Sequence, residues 1–223
     1  MDKKLFIQAI TKFIFGILIV SMLVFIPAGT LNYWNAWLFM GILFVPMFFV
    51  GITLMVKSPD LLRKRLRVKE KESDQKQVIL LGGLMCICGF VVAGLDYRFQ
   101  WLVLPKWIEI IAAVLFLLAY LIYVEVMREN AYLSRTIEIQ ENQRVIDTGI
   151  YGFVRHPMYL STILLFLSMP LILGSLFSFM IFLVYPIIIA KRIRNEEKLL
   201  LDELDGYSDY KKRVKYKLFP FIW

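Results

Sequence analysis

A chain of 223 residues that is 59% hydrophobic, with a mean hydropathy of +0.66, is too apolar for an ordinary soluble domain, which sits at about half apolar. Its formal charge of +8 would point to nucleic acid in a soluble protein, but the 26 Lys and Arg residues flank apolar blocks. That placement makes the anionic face of a membrane the better reading, with no nucleic-acid partner expected. At this length one integrated domain is the default.

A hydrocarbon core about 30 Å thick takes about 20 apolar residues as a helix. The first such block is Leu5 to Ile26, in which Lys12 sits near enough to the start to snorkel. It lacks a clear small-x-small cleavage site and is expected to be a retained span. The second is Ala36 to Val56, the third Val78 to Leu95 and the fourth Trp107 to Met127. Cys86 and Cys88 lie inside the third; without metal-ligand spacing nearby they read as small buried hydrophobes. The stretch from Met158 to Ala190 is too long for one span, and Pro170 and Gly174-Ser175 interrupt it. A tight hairpin of two short spans, broken near Leu173 to Ser178, is expected. The fold class is therefore all-α, a multi-spanning transmembrane protein of about six spans. Residues 1-127 hold the N-terminal helices and 128-223 a C-terminal core of loop, hairpin, cytoplasmic helix and tail.

On this arrangement every Lys and Arg except Arg98 and Lys106 lies on one side, which the positive-inside rule makes cytoplasmic, with both termini there. Trp34, Trp37, Trp101 and Trp107 fall near span ends on the other side, as an aromatic belt does. The expected location is the plasma membrane of a prokaryote.

Three inner segments compete for the chemistry. Lys57 to Lys76 reads as a surface helix after Ser58-Pro59, a basic interfacial segment with few polar side-chain types. In Glu125 to Tyr159, Asn130 follows the fourth span, Ile137 to Gln140 alternates as a short extended piece, and Asp147-Thr148-Gly149 signals a turn. His156, the only histidine, precedes Pro157 at the first position of the next span. Arg155 and His156 either anchor a helix start at the head groups or frame an anion-friendly pocket. Lys191 to Gly206 continues helically out of the last span, with Ile193, Leu200 and Leu204 on one side. Arg192 and Glu196 share a face there, as a solvated ion pair or as part of a site; the adjacent Glu196 and Glu197 would suit the amino group and ribose hydroxyls of a cofactor. The aromatic and basic tail after Gly206 suits the interface. A strand-GxGxxG-helix fingerprint, a Walker A sequence and a Gly-x-Ser-x-Gly elbow are absent. One histidine is too few for most zinc centres, so no metal is expected. Charges deep in the spans are scarce, which argues against an ion pump.

The stretches GIYGFVRHPMYLS, RIRNEEKLL and YSDYKKRV, ending in LFPFIW, resemble the isoprenylcysteine carboxyl methyltransferase and phospholipid methyltransferase superfamily. The resemblance covers Asn130 to Trp223. It implies S-adenosyl-L-methionine as cofactor. Tyr151, Arg155, His156, Tyr159, Glu196 and Glu197 match its cofactor-pocket positions. Arg192 matches the arginine before the glutamates and is assigned to orient an anionic substrate group, with Asn130 at the pocket wall. Ile150 stands where the family has proline and Ser161 where it has glycine. The implied reaction is methyl transfer at the cytoplasmic face to a lipophilic partner entering from the bilayer, either a prenylated-cysteine-like carboxylate or a lipid amine. Two alternatives stay open: an NADPH-dependent sterol or enone reductase, whose related C-terminal pattern carries Asn where this chain has Pro157-Met158, and a non-catalytic scaffold or transporter.

Overall fold

The computed structural model describes residues 3–66, 73–134, 139–220, 222 and 223. All regular structure among them is helical. The helices are α1 (Lys3–Ala28), α2 (Trp34–Lys57), α3 (Pro59–Leu66), α4 (Ser73–Phe99), α5 (Lys106–Glu129), α6 (Pro157–Ile172), α7 (Leu176–Phe182), α8 (Tyr185–Glu203) and α9 (Tyr207–Arg213). A single 3₁₀ turn, Gly149–Gly152, precedes α6.

Among the described residues, five stretches are long and apolar enough to cross a membrane: α1, α2, Lys76–Phe99, α5 and the combined Leu176–Glu203. The chain is an integral membrane protein. The expected spans grow by a few residues at most ends, because helices run on past the hydrocarbon until a breaker stops them. Pro105 starts α5, Pro157 takes the first turn of α6, and Ser58-Pro59 ends α2. The hairpin breaks where expected, between Ile172 and Leu176. At 16 residues α6 covers only about 24 Å, short of a full hydrocarbon core. A second break, at Leu183-Val184, was not legible in the hydrophobic pattern; Pro186 has no N–H to continue the helix backward.

Packing follows membrane rules, with small residues where helices meet. Ala28, Ala36, Ala93, Ala112 and Ala119 are all buried. They surround a core that includes Phe39, Phe90, Phe116 and Phe182. Gly94 brings α4 so close to α1 that a Cβ there would stand 2.5 Å from the Val24 carbonyl oxygen. At the far end of the bundle, away from the chain start, the Tyr33 hydroxyl donates to the Leu173 carbonyl. Asn35 Nδ2 donates to Ile172 O at 2.9 Å, and the Ser175 hydroxyl to Asp96 Oδ2 at 2.6 Å. The bonds from Tyr33 and Asn35 satisfy carbonyls that the end of α6 leaves without helical partners.

Cys86 is half-buried and Cys88 exposed, both as free thiols, so they are not buried core residues as expected. Two residues apart on a helix, they cannot both face the bundle, and Cys88 faces outward beside Leu84 and Ile87, where lipid rather than protein covers it. The surface helix expected after Ser58-Pro59 is α3, anchored by buried Leu61 and Leu62; residues 67–72 of that segment lie outside the described residues. The expected extended piece Ile137 to Gln140 lies partly outside them too.

The end of α5, the start of α6, the charged half of α8 and the tail gather at one end of the bundle. Lys12 of α1 donates to the Leu66 carbonyl at the end of α3 there, and Lys64 Nζ reaches Ala131 O at 3.3 Å.

Candidate active site

The site grows from helix ends. At the end of α5, Asn130 Oδ1 accepts the Tyr132 N–H (2.9 Å), and its Nδ2 donates to the Tyr151 hydroxyl (3.0 Å). This is an Asx turn whose free amide group points across to the 3₁₀ turn. Glu129 Oε2 accepts the Ile150 N–H at 3.2 Å, a bond that the family's usual proline could not donate. The Tyr210 hydroxyl donates to Tyr151 O at 2.8 Å. The segment before α6 is strapped to the tail: Arg155 N–H donates to Tyr216 O and His156 N–H to Lys217 O, each at 2.9 Å. Behind the strap, Leu218 is buried with Tyr159, Ile163, Ile189 and Ile193.

His156 occupies the N-cap position of α6, but its ring caps nothing. It turns toward α8, where Nε2 lies 3.3 Å from Glu197 Oε1. Arg155 meets the same oxygen through Nε at 2.8 Å and Nη2 at 2.7 Å, and its Nη1 donates to Val214 O and Lys215 O at 2.6 and 2.8 Å. Lys217 Nζ reaches Glu197 Oε2 at 3.1 Å. Burial pushes the Glu197 carboxyl pKa upward. The hydrogen bonds and charges of His156 and Arg155 outweigh that and hold it below the ordinary carboxylate range.

The neighbouring glutamate belongs to a second relay. The Tyr159 hydroxyl donates to Glu196 Oε2 at 2.5 Å and accepts from Arg192 Nε at 3.0 Å. Arg192, Tyr159 and Glu196 thus form one chain of charge-assisted bonds between α8 and α6.

Two adjoining clefts open onto these groups. The first has about 570 Å³ of free space including its mouth, and Asn130, Tyr151, Arg155, His156, Tyr159 and Glu196 line it. The second shares Asn130, Tyr159 and Glu196 with the first, and Arg192 lines it alone. Glu197 lines neither and sits behind Arg155 and His156, 5% exposed. Of the eight residues singled out from the sequence, seven therefore border a cleft, and the eighth braces two of them. The sequence reading passed over Gln143, Arg144 and Tyr207 and gave Leu200 and Leu204 only a packing face, yet all five also line the first cleft. Gln143 and Arg144 lie in an irregular loop with no periodicity to flag them, whereas Tyr207 stood in the Tyr-x-x-Tyr tail pattern. Among the described residues no group of His, Cys, Asp and Glu could hold a metal ion.

Fold and site together define a class: a helical integral membrane protein whose polar clefts are built from helix ends at one face of the bundle. Comparison with known proteins shows what the chain is similar to. Residues 102–204 match the model of the phospholipid methyltransferase family, the group that the C-terminal motifs indicated. The chain superposes on the structure of a eukaryotic intramembrane Ras methyltransferase, ICMT (isoprenylcysteine carboxyl methyltransferase), with a TM-score of 0.56. That match covers 92% of this chain and 73% of that one, at 17% identity, and is a likeness of fold. A stretch of 91 residues, 40% of this chain, is 29% identical to the Delta(14)-sterol reductase TM7SF2 of Mus musculus. The chain spans only 22% of the length of that reductase.

Proposed function

We propose that the protein transfers a methyl group from S-adenosyl-L-methionine to a lipophilic acceptor at the cytoplasmic face of a prokaryotic plasma membrane. The observation that carries this reading is the pair of adjoining clefts that share Tyr159 and Glu196 at the polar end of a membrane bundle. A cofactor and an acceptor need such neighbouring seats.

The first cleft fits the cofactor. It combines acidic, basic and apolar side chains in one concave site, as small-molecule sites do. Glu196 offers an acceptor for an ammonium or for ribose hydroxyls, exposed Arg144 a cation for a carboxylate, and Leu133, Ile146, Leu200 and Leu204 an apolar wall for a purine. When bound, the cofactor supplies an electrophilic methyl group on a sulfonium. The chain's own task is positioning, which for a bimolecular transfer lowers the barrier most. Tyr159, held between Arg192 and Glu196, keeps the Glu196 carboxylate at the junction of the clefts without reorganisation. Arg192, facing the second cleft alone, orients an anionic group on the acceptor. Met158, Leu133 and Leu200 border both clefts and keep water from the junction. A carboxylate acceptor needs no base. An amine acceptor must shed a proton, and Glu196 is the carboxylate at hand to take it.

The test is calorimetric titration of the detergent-purified protein with S-adenosylhomocysteine. Binding is expected, weakened at least tenfold by Glu196→Ala and His156→Ala, while methyl-labelled cofactor incubated with membranes yields a labelled lipophilic product by mass spectrometry. Absent binding would sink the reading. The likeness to the sterol reductase favours one competing reading, reduction with NADPH. His156-Pro157-Met158-Tyr159 and the Glu196-Glu197 pair speak against it. Saturable binding of NADPH, with none of the homocysteine compound, would decide for the reductase.

A further inference from the structure

Tyr207 and Tyr210 stand one turn apart on α9, both buried, and both border the first cleft. Their rings pack against each other with centroids 5.7 Å apart. Their hydroxyls differ. That of Tyr210 is spent on the Tyr151 carbonyl, 2.8 Å away. That of Tyr207 is buried, on a residue only 4% exposed, and has no hydrogen-bond partner among the described residues. A buried hydroxyl without a partner has lost its water and gained nothing in return, so such a group in a native protein calls for an explanation. A mere packing position would be served as well by phenylalanine.

The local chain places this hydroxyl deliberately. Gly206, with φ +82°, lets the backbone turn at the end of α8 in a conformation that L side chains rarely adopt. The Tyr207 N–H then donates to Leu204 O at 3.2 Å, and its buried ring packs in one cluster with Leu204 and with Leu200 of α8. Burial pushes its hydroxyl well above the ordinary tyrosine range, with the Glu197 charge adding to the rise, so it stays a donor at neutral pH. The neighbouring carboxylates already have partners: Glu197 holds Arg155, His156 and Lys217, and Glu196 holds Tyr159.

We propose that the Tyr207 hydroxyl is a ligand-binding group that donates a hydrogen bond to an acceptor oxygen of the molecule seated in the first cleft. This rests on the reading of that cleft as the S-adenosyl-L-methionine site. There the acceptor is either a ribose oxygen or the amino-acid carboxylate. Tyr207 thus becomes a specificity residue for the cofactor, while Tyr210 braces the 3₁₀ turn under Tyr151.

The experiment compares wild type, Tyr207→Phe and Tyr210→Phe in detergent, by calorimetric titration with S-adenosylhomocysteine and with methylthioadenosine, and by melting of the free proteins. Tyr207→Phe is expected to bind S-adenosylhomocysteine about tenfold more weakly, with a melting temperature equal to wild type or higher, since the change removes an unsatisfied polar group. Tyr210→Phe is expected to melt lower, because it leaves the Tyr151 carbonyl unpaired. A penalty that persists with methylthioadenosine assigns the bond to the nucleoside; one that vanishes assigns it to the carboxylate. Equal affinities of wild type and Tyr207→Phe would overturn the proposal and leave the hydroxyl to a trapped water. A lower melting temperature in Tyr207→Phe would also overturn it, by exposing a structural partner. If wild type itself fails to bind S-adenosylhomocysteine, the cofactor reading falls first, and this inference with it.

Discussion

Adjacent glutamates on one helix point about 100° apart, and here that angle separates two jobs. Glu196 faces the clefts through Tyr159. Glu197 faces inward and gathers Arg155, His156 and Lys217. Removing one partner of a buried pair strands the other, at a cost of about 3–5 kcal/mol. Glu197→Gln is therefore expected to lower the melting temperature of the purified protein markedly, and Glu196→Gln to leave it nearly unchanged while weakening ligand binding. Reversal of that order would contradict the assignment. The pH dependence has a definite sign. Because the folded-state pKa of Glu197 is depressed, its contribution is fully present above the unfolded carboxylate value of about 4.3 and fades only as pH falls below it. The difference in melting temperature between wild type and Glu197→Gln should thus shrink as pH falls below about 4.3. A difference that persists unchanged in strong acid would count against an ionised Glu197.

Helices α1 and α4 meet through Gly94, and the contact is made by backbone rather than by side chains. A Cβ at this position would lie 2.5 Å from Val24 O and 3.0 Å from Ala28 N. Neither backbone atom can swing aside as a side chain would. Gly94→Val is expected to destabilise the bundle by about 1–3 kcal/mol, the usual range for overpacking. Gly83→Val, on the same helix with open space beside it, is the matched control and should be tolerated. Thermal unfolding of the two variants in one detergent checks this; equal losses would mean that helix propensity, not the α1–α4 approach, sets the effect. The short α6 depends on such neighbours as well, since its far end is held by Tyr33, just before α2, and by Asn35 in the first turn of that helix.

The bundle as a whole is polarised. Among the described residues, Arg98 and Lys106 are the only Lys and Arg that lie at the end opposite the clefts. The orientation we propose, with the clefts toward the cytoplasm, is the one the positive-inside rule favours. With Cys86 and Cys88 replaced by alanine, Gln100→Cys is expected to react with an impermeant maleimide in intact cells. Glu141→Cys, in the loop beside the cleft residue Gln143, is expected to react only after permeabilisation. The opposite pattern would invert the orientation and remove the cleft from the cytosolic cofactor pool.

Composition and the spacing of breakers already determined the class of this protein and where its main helices run. Uninterrupted apolar blocks have few stable forms in lipid other than helices, and prolines such as Pro105 and Pro157 end or start them by losing a donor. The motifs marked the residues that border the clefts, but as resemblance; nothing in their spacing brings His156 within 3.3 Å of Glu197 across the whole hairpin. Tertiary structure alone decided which glutamate faces the cleft, that Tyr216 and Lys217 pin the start of α6 through their carbonyls, and that Tyr207 rather than Tyr210 keeps its hydroxyl unspent. The physical reason is common to all three. They depend on the rotation of one helix against another and on backbone bonds between distant segments, which local periodicity does not encode.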